Sequence, residues 1–302
     1  MIRENNKVRI NELFKEMSGK KAEPGSVEQK ISDLYNMGLD SVRLNAEGAK
    51  PILAEVERLL GIKDRSELTA AIAELHATTA NPFFGIGVDG DLKNSDMNAL
   101  YISQSGLAMG DRDYYLTPEN EQIRTAYKEY LTRLFTLVGM PETKVAGAVA
   151  DVMEIETTLA EAFWSNVQLR DIQAQYNPVS KADFEKKYNA INWEEYYKAT
   201  GLGDFDTIIV TQQSSLAAAD KILKTAPVEK IAHYLAAQYI NSAASYLSDD
   251  FVNASFDFYG KTMSGKQEIE PRDGRTQRIA GRGCRRDVRS QILLGERQGP
   301  HD

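Results

Sequence analysis

Cysteine, histidine, basic charge and long apolar runs are all scarce in this 302-residue chain, and each scarcity narrows what it can do. Cys284 is the only cysteine, so no internal disulfide framework can form and no thiolate zinc site can be assembled. The three histidines, His76, His233 and His301, supply no H-E-x-x-H and no pair at i, i+4, the spacing that puts two imidazoles on one helix face. No apolar run reaches the roughly 18 residues of a membrane-crossing helix, so no membrane segment is expected. The opening Met1-Ile2-Arg3-Glu4-Asn5-Asn6-Lys7 has no apolar core, so no signal peptide is visible. With 36 basic against 44 acidic residues and a net charge of -8, the chain argues against a nucleic-acid partner, because phosphate binding needs a basic face.

What is present is the composition of an ordinary soluble globular protein, 42% hydrophobic and 26% charged, written mostly in helical periods. Short amphipathic patterns cover residues 5–17, 27–37, 50–60 and 66–76, with Ser66 and Thr69 as capping candidates for the last. The clearest helix follows Thr117-Pro118, read as an N-cap and a first-turn proline. Ile123, Tyr127, Tyr130, Leu131, Leu134, Phe135 and Val138 form one face before Gly139 and Pro141 end it. Two more long helices are expected over 142–164 and 227–247. Residues 83–89 and 99–104 alternate in polarity around Lys93-Asn94-Ser95-Asp96 and predict a β-hairpin, and residues 206–211 predict another short strand. The fold expected is mainly α, several helices with one small hairpin. No repeat of 20–50 residues marks a solenoid.

The composition changes near residue 272. Lysine occurs 19 times before that point and never after it, whereas arginine occurs 10 times in residues 1–272 and 7 times in 273–302. The net charge is -11 for residues 1–272 and +3 for the tail. The chain is therefore divided into a body, 1–272, and an Arg/Gly-rich tail, 273–302, expected to be without packed structure. The tail reads either as an arm for RNA or an acidic partner, or as an out-of-frame translation.

Few residues carry a chemical signal. His76 and His233 sit alone on predicted helices, the usual setting of a structural histidine. Asp111-Arg112-Asp113-Tyr114-Tyr115 can bind a charged ligand, or can be a buried turn in which Arg112 satisfies carboxylates and carbonyls. Glu156 falls on the apolar stripe formed with Val149, Val152, Met153, Ala160 and Phe163, where a carboxylate is costly unless paired; Arg170 or Lys144 is the expected partner. Gly85-x-Gly87 and Gly201-x-Gly203 lack a phosphate-loop continuation, and Asn253-Ala254-Ser255 fits a glycosylation sequon.

In sequence order, several stretches resemble the amino-terminal region of the neprilysin family, especially its bacterial oligopeptidases. They are Asp91-x-Lys93-Asn94-Ser95, Gln104-x-Gly106-Leu107, Asp111-Arg112-Asp113-Tyr114-Tyr115-Leu116 and Val152-Met153-Glu154-x-Glu156-x-x-Leu159-Ala160. Tyr176-Asn177-Pro178 and Phe256-x-Phe258-Tyr259-Gly260-Lys261-x-x-x-Gly265 follow, and Pro271-Arg272 closes the series. The resemblance implies a helical cap restricting entry to a peptidase chamber, with zinc, its ligands and the general base supplied by a later half. It implies oligopeptide substrates and a periplasmic or cell-envelope location for the complete enzyme. The H-E-x-x-H and later E-x-x-x-D of the family do not occur here, so no catalytic, metal or substrate-binding residue is carried over. No cofactor is expected in this chain, and hydrolysis by it alone is not expected. A stand-alone helical binding module with a basic tail is the alternative.

Overall fold

The computed structural model describes residues 22–276 apart from Thr79, together with residues 12, 14–16, 18 and 19. It divides into two compact units, Met1–Gly48 with Lys266–Asp302, and Ala49–Gly265. Most of the helix expected over 5–17, and the tail beyond residue 276, lie outside the described residues.

In the first unit, α1 (Val27–Leu39) starts where the Ser26 hydroxyl accepts from the Gln29 amide at 3.1 Å, and α2 (Ser41–Glu47) where Asp40 accepts from Arg43 N at 3.0 Å. These side chains occupy helix-end donors that have no partner within the helix. Residues 272–276 are helical and Thr276 is buried. Arg272 donates to Gly38 O at 3.3 Å, and a Cβ on Gly38 would collide with the Thr276 side chain.

The second unit opens with α3 (Lys50–Leu60) and α4 (Leu68–Thr78). The cap before α4 is Asp64, which forms a reciprocal capping box with Glu67 across the 3₁₀ turn Arg65–Glu67, so neither Ser66 nor Thr69 caps this helix. Thr69 is buried instead, and its hydroxyl accepts from Asn192 N at 3.0 Å. We expect Thr69→Val to cost about 1–2 kcal/mol in denaturant unfolding, because it leaves that amide without an acceptor; an unchanged midpoint would show the bond contributes nothing.

The hairpin is present as β1 (Phe84–Asp91) and β2 (Asn94–Gln104), antiparallel with Phe84 opposite Gln104. It belongs to a four-stranded sheet in the order β1-β2-β4-β3. The strand expected over 206–211 is β4 (Thr207–Val210), parallel to β2. Sequence reasoning missed β3 (Pro178–Ser180), which is three residues long and too short to show a period. A parallel pairing needs a long crossover, and here residues 105–206 supply it.

That crossover holds α5 (Asp113–Leu116), α6 (Glu121–Leu137), α7 (Glu142–Ala162), α8 (Lys181–Lys187) and α9 (Trp193–Thr200). After β4 come α10 (Gln213–Thr225), α11 (Val228–Ala243), α12 (Asp249–Ser255) and a π-helical segment, Phe256–Thr262. Thr117 does not cap α6: its hydroxyl turns back to donate to Asp113 O at 2.9 Å, and Pro118–Asn120 forms a 3₁₀ turn first. The predicted face of α6 is buried through Tyr127, Tyr130, Leu131, Leu134 and Phe135. It packs with Val152, Ile155 and Leu159 of α7 and Ile231, Tyr234 and Leu235 of α11 in one hydrophobic core. Each such side chain contributes roughly 1.5–3 kcal/mol on burial.

Candidate functional site

Glu156 sits in the middle of this core, fully buried on α7. It does not pair with Arg170 or Lys144, and no ion pair to it occurs among the described residues. Lys144 is twelve residues earlier on the same helix, about 18 Å away along the axis. Its partners are neutral donors. Tyr115 Oη donates to Oε2 at 2.7 Å, Tyr127 Oη to Oε1 at 3.1 Å and Gln238 Nε2 to Oε1 at 2.9 Å, with the Ala108 amide as a fourth. Those bonds favour the carboxylate, but desolvation outweighs them and raises its pKa to about 7. Burial, and then the Glu156 charge, push Tyr115, Tyr127 and Tyr234 well above the ordinary phenol range.

The network continues into the turn after β2. Tyr234 Oη donates to Gly106 O at 2.8 Å and accepts from Phe83 N at 3.2 Å, while Gln238 Nε2 also reaches Gly106 O at 3.1 Å. Met109 N donates to Tyr115 Oη at 3.1 Å. Residues 106–109, α5, α6, α7 and α11 thus meet on one carboxylate. Tyr127 and Gln238 were not singled out from sequence. The signal available was a polar residue on each apolar face, the same signal that marked Glu156.

The Asp111–Tyr115 cluster is a turn with internal partners. Arg112 donates to Phe163 O at 2.6 Å, Asp111 accepts from Asp113 N at 2.9 Å and from Asn166 Nδ2, and Tyr115 is buried. At the end of β2, the Gln104 side-chain amide accepts from Trp164 N at 2.8 Å and donates to Trp164 O at 3.2 Å. Asn253 is exposed on α12.

The two described histidines are far apart in role. His76 is half-buried, with Nε2 donating to Pro82 O at 2.9 Å and Nδ1 accepting from Tyr196 Oη at 2.5 Å. A carbonyl can only accept, which fixes the tautomer. Burial lowers the His76 pKa to about 4, so it stays neutral. His233 Nδ1 lies 2.8 Å from Asp151, beside Lys230, which bonds Glu154 at 2.6 Å.

A helical unit built around a sealed polar core, carrying this order of motifs, defines the class, and direct comparison gives the family. Residues 1–290 match the amino-terminal model described as Peptidase family M13, and the chain belongs to that family. The match runs past the change of composition at 272. The chain is 27% identical over 282 residues to endothelin-converting enzyme 1 of Homo sapiens, covering 89% of this chain and 36% of that protein. It is 26% identical over 264 residues to the neutral endopeptidase of Lactobacillus helveticus, covering 87% and 41%. Among solved structures, the zinc metalloprotease of Mycobacterium tuberculosis in its open state superposes with a TM-score of 0.86 at 26% identity, covering 91% of this chain and 43% of that one. PEPO from Lactobacillus rhamnosis shares the fold, with a TM-score of 0.78 at 18% identity. The chain therefore spans well under half the length of these relatives.

Zinc, named for the mycobacterial protein, does not fit the described residues. Both His76 nitrogens are engaged in hydrogen bonds and His233 is paired with Asp151. Among the described residues, no three His, Cys, Asp or Glu side chains gather closely enough to hold an ion. No helix among them is long and apolar enough to cross a membrane.

Proposed function

We propose that this chain is the non-catalytic amino-terminal part of a zinc metalloendopeptidase, forming the cap that limits which oligopeptides reach a catalytic half. The observation that carries the reading is the match to the amino-terminal family model in a sequence that contains no H-E-x-x-H. The full burial of Glu156 supports it, since that carboxyl cannot meet a substrate. The resemblance to bacterial oligopeptidases supports a periplasmic or cell-envelope location for the complete enzyme.

Supplying the carboxy-terminal part of a family peptidase in trans tests the cap role. Chelator-sensitive cleavage of short fluorogenic peptides is expected, with folded protein substrates left intact. Equal cleavage of folded proteins would refute a cap that limits entry.

For the tail, the arginine and glycine enrichment supports an out-of-frame reading, while the helical turn 272–276 and the family match through 290 support native sequence there. Reading the gene in all three frames past the Arg272 codon separates the two. An H-E-x-x-H continuation in another frame supports the first reading, and one in the same frame the second.

A further inference from the structure

The sequence contains two Asp-Gly pairs, Asp89-Gly90 in β1 and Asp273-Gly274 in the helical turn 272–276. Glycine after aspartate lets the next backbone nitrogen approach the side-chain carboxyl, because no Cβ stands beside that nitrogen. Asp89 and Gly90 are both exposed, on a strand at the edge of the sheet. Gly90 has nothing within 4 Å of where a Cβ would stand. Its N–H donates to Asp89 Oδ1 at 2.8 Å, and its carbonyl accepts from Tyr101 Oη at 2.9 Å. Side chains, rather than β2, thus satisfy both main-chain groups of Gly90.

The register accounts for this. Thr211 N donates to Ile102 O at 2.8 Å, so Ile102 directs its main-chain groups toward β4. Ile86 opposite it, and Val88 and Gly90 at alternate positions beyond, turn theirs away from β2. The pairing then becomes irregular between Gly90, opposite Asn98, and Asp91, opposite Asn94. Asp89 and Ala99 are therefore the last pair facing each other across the ladder before that irregularity. Only this terminal pair has to open for the Asp89 carboxyl and the Gly90 nitrogen to turn onto each other.

The other aspartates are held differently. The Asp91 carboxylate accepts from Lys93 N at 2.8 Å and from Tyr176 Oη at 3.0 and 3.2 Å, which keeps it below the usual carboxylate range. Its next residue is Leu92. Asp273-Gly274 repeats the contact, Gly274 N to Asp273 Oδ1 at 2.8 Å, but on helical, half-buried backbone. A Cβ on Gly274 would stand 3.0 Å from Glu270 Oε1.

We propose that Asp89-Gly90 is a site of spontaneous backbone modification, at which Asp89 closes to a succinimide and reopens as isoaspartate. The Gly90 nitrogen bonds to Asp89 Cγ and gives up its proton, and the carboxyl hydroxyl leaves with that proton as water. The contact already made to Oδ1 supplies the proximity such a cyclisation needs. Water then adds back at either ring carbonyl. Addition at Cγ breaks the new bond and restores aspartate. Addition at the original main-chain carbonyl breaks the old peptide bond, routes the backbone through Cβ and Cγ, and frees the α-carboxylate. Water is the only reactant. The main chain gains one carbon, about 1.5 Å, which carries the Gly90 carbonyl away from Tyr101 and unpairs the end of β1.

The test incubates the full chain in mildly acidic buffer and follows it by tryptic peptide mapping, in which Asp89 falls on the peptide 66–93. Electron-transfer fragmentation tells isoaspartate from aspartate, and a mass lower by one water marks the succinimide. In the folded chain, isoaspartate should accumulate at 89 about tenfold or more faster than at 273. In concentrated urea the two sites should react alike, since the dipeptide is the same. Gly90→Ala, with open space for its methyl, should keep the parent's denaturant midpoint and slow the reaction at 89 severalfold. Equal accumulation at 89 and 273 in the folded chain would overturn the assignment. So would an Asp89 that stays intact, or a Gly90→Ala chain that reacts as fast as the parent.

Discussion

Glu156→Gln and His76→Gln should give the protein opposite pH dependences of stability, although the parent changes little between about pH 4.5 and 6.5 on account of these two groups. Glu156 is raised from 4.5 to about 7, so the folded state holds this proton more tightly than the unfolded chain does. Its contribution is complete below pH 4.5 and is lost as pH rises through 7, a change worth about 3 kcal/mol. His76 is lowered from 6.5 to about 4, so its contribution is complete above pH 6.5 and is lost as pH falls through 4. That change is again about 3 kcal/mol. The two slopes oppose each other over a shared window.

Replacing Glu156 by Gln leaves His76 unopposed, and stability should then climb with pH across that window. Replacing His76 by Gln, which can still donate to Pro82 O and accept from Tyr196, should make it fall. Denaturant midpoints at pH 4.5, 5.5, 6.5 and 7.5 measure both slopes. Variants whose curves run parallel to the parent would contradict the burial and protonation states assigned here.

Gly106→Ala should be the most damaging single methyl addition in the second unit. Gly106 has φ +103, a conformation L side chains rarely adopt, and its Cβ would lie 2.6 Å from Phe83 N and still closer to the Tyr234 hydroxyl. Neither neighbour can yield cheaply. Phe83 N is backbone, and Tyr234 is buried and holds the carbonyl of Gly106 itself. A loss of about 3 kcal/mol or more is expected from strain plus the broken network. Gly87→Ala, with open space and no positive φ, is the control and should stay within about 0.5 kcal/mol. Similar losses for both would mean that the 106 turn is not the constraint described.

These two cases also show what could be read from the chain before its structure. The amphipathic faces of α6, α7 and α11 were legible because each buries a stripe with a period near 3.6, and the polarity alternation of the hairpin marked β1 and β2. The burial of Glu156 was legible for the same reason. Its partners were not, because Tyr115, Tyr127 and Gln238 lie 41, 29 and 82 residues away and only the fold brings them together. An ion pair was expected where three side-chain donors and one amide share the load instead. The cap of α4 was misplaced by a short distance, since Asp64 and Glu67 satisfy each other across a turn of the 3₁₀ kind before the α-helix begins. Gly106 was visible as part of a motif, but its necessity appears only when Tyr234 and Phe83 close around it.

The family relationship was legible from motif order, and the comparisons place the chain in peptidase family M13. These residues are not expected to perform the chemistry of that family unaided. A zinc peptidase needs about three protein ligands around the ion and a positioned base for the attacking water, and the described residues gather no such set. The direct measurement is the purified chain alone, incubated with zinc and a fluorogenic oligopeptide, with metal content determined in parallel. No turnover and no stoichiometric zinc are expected. Chelator-sensitive turnover with about one zinc per chain would contradict that expectation.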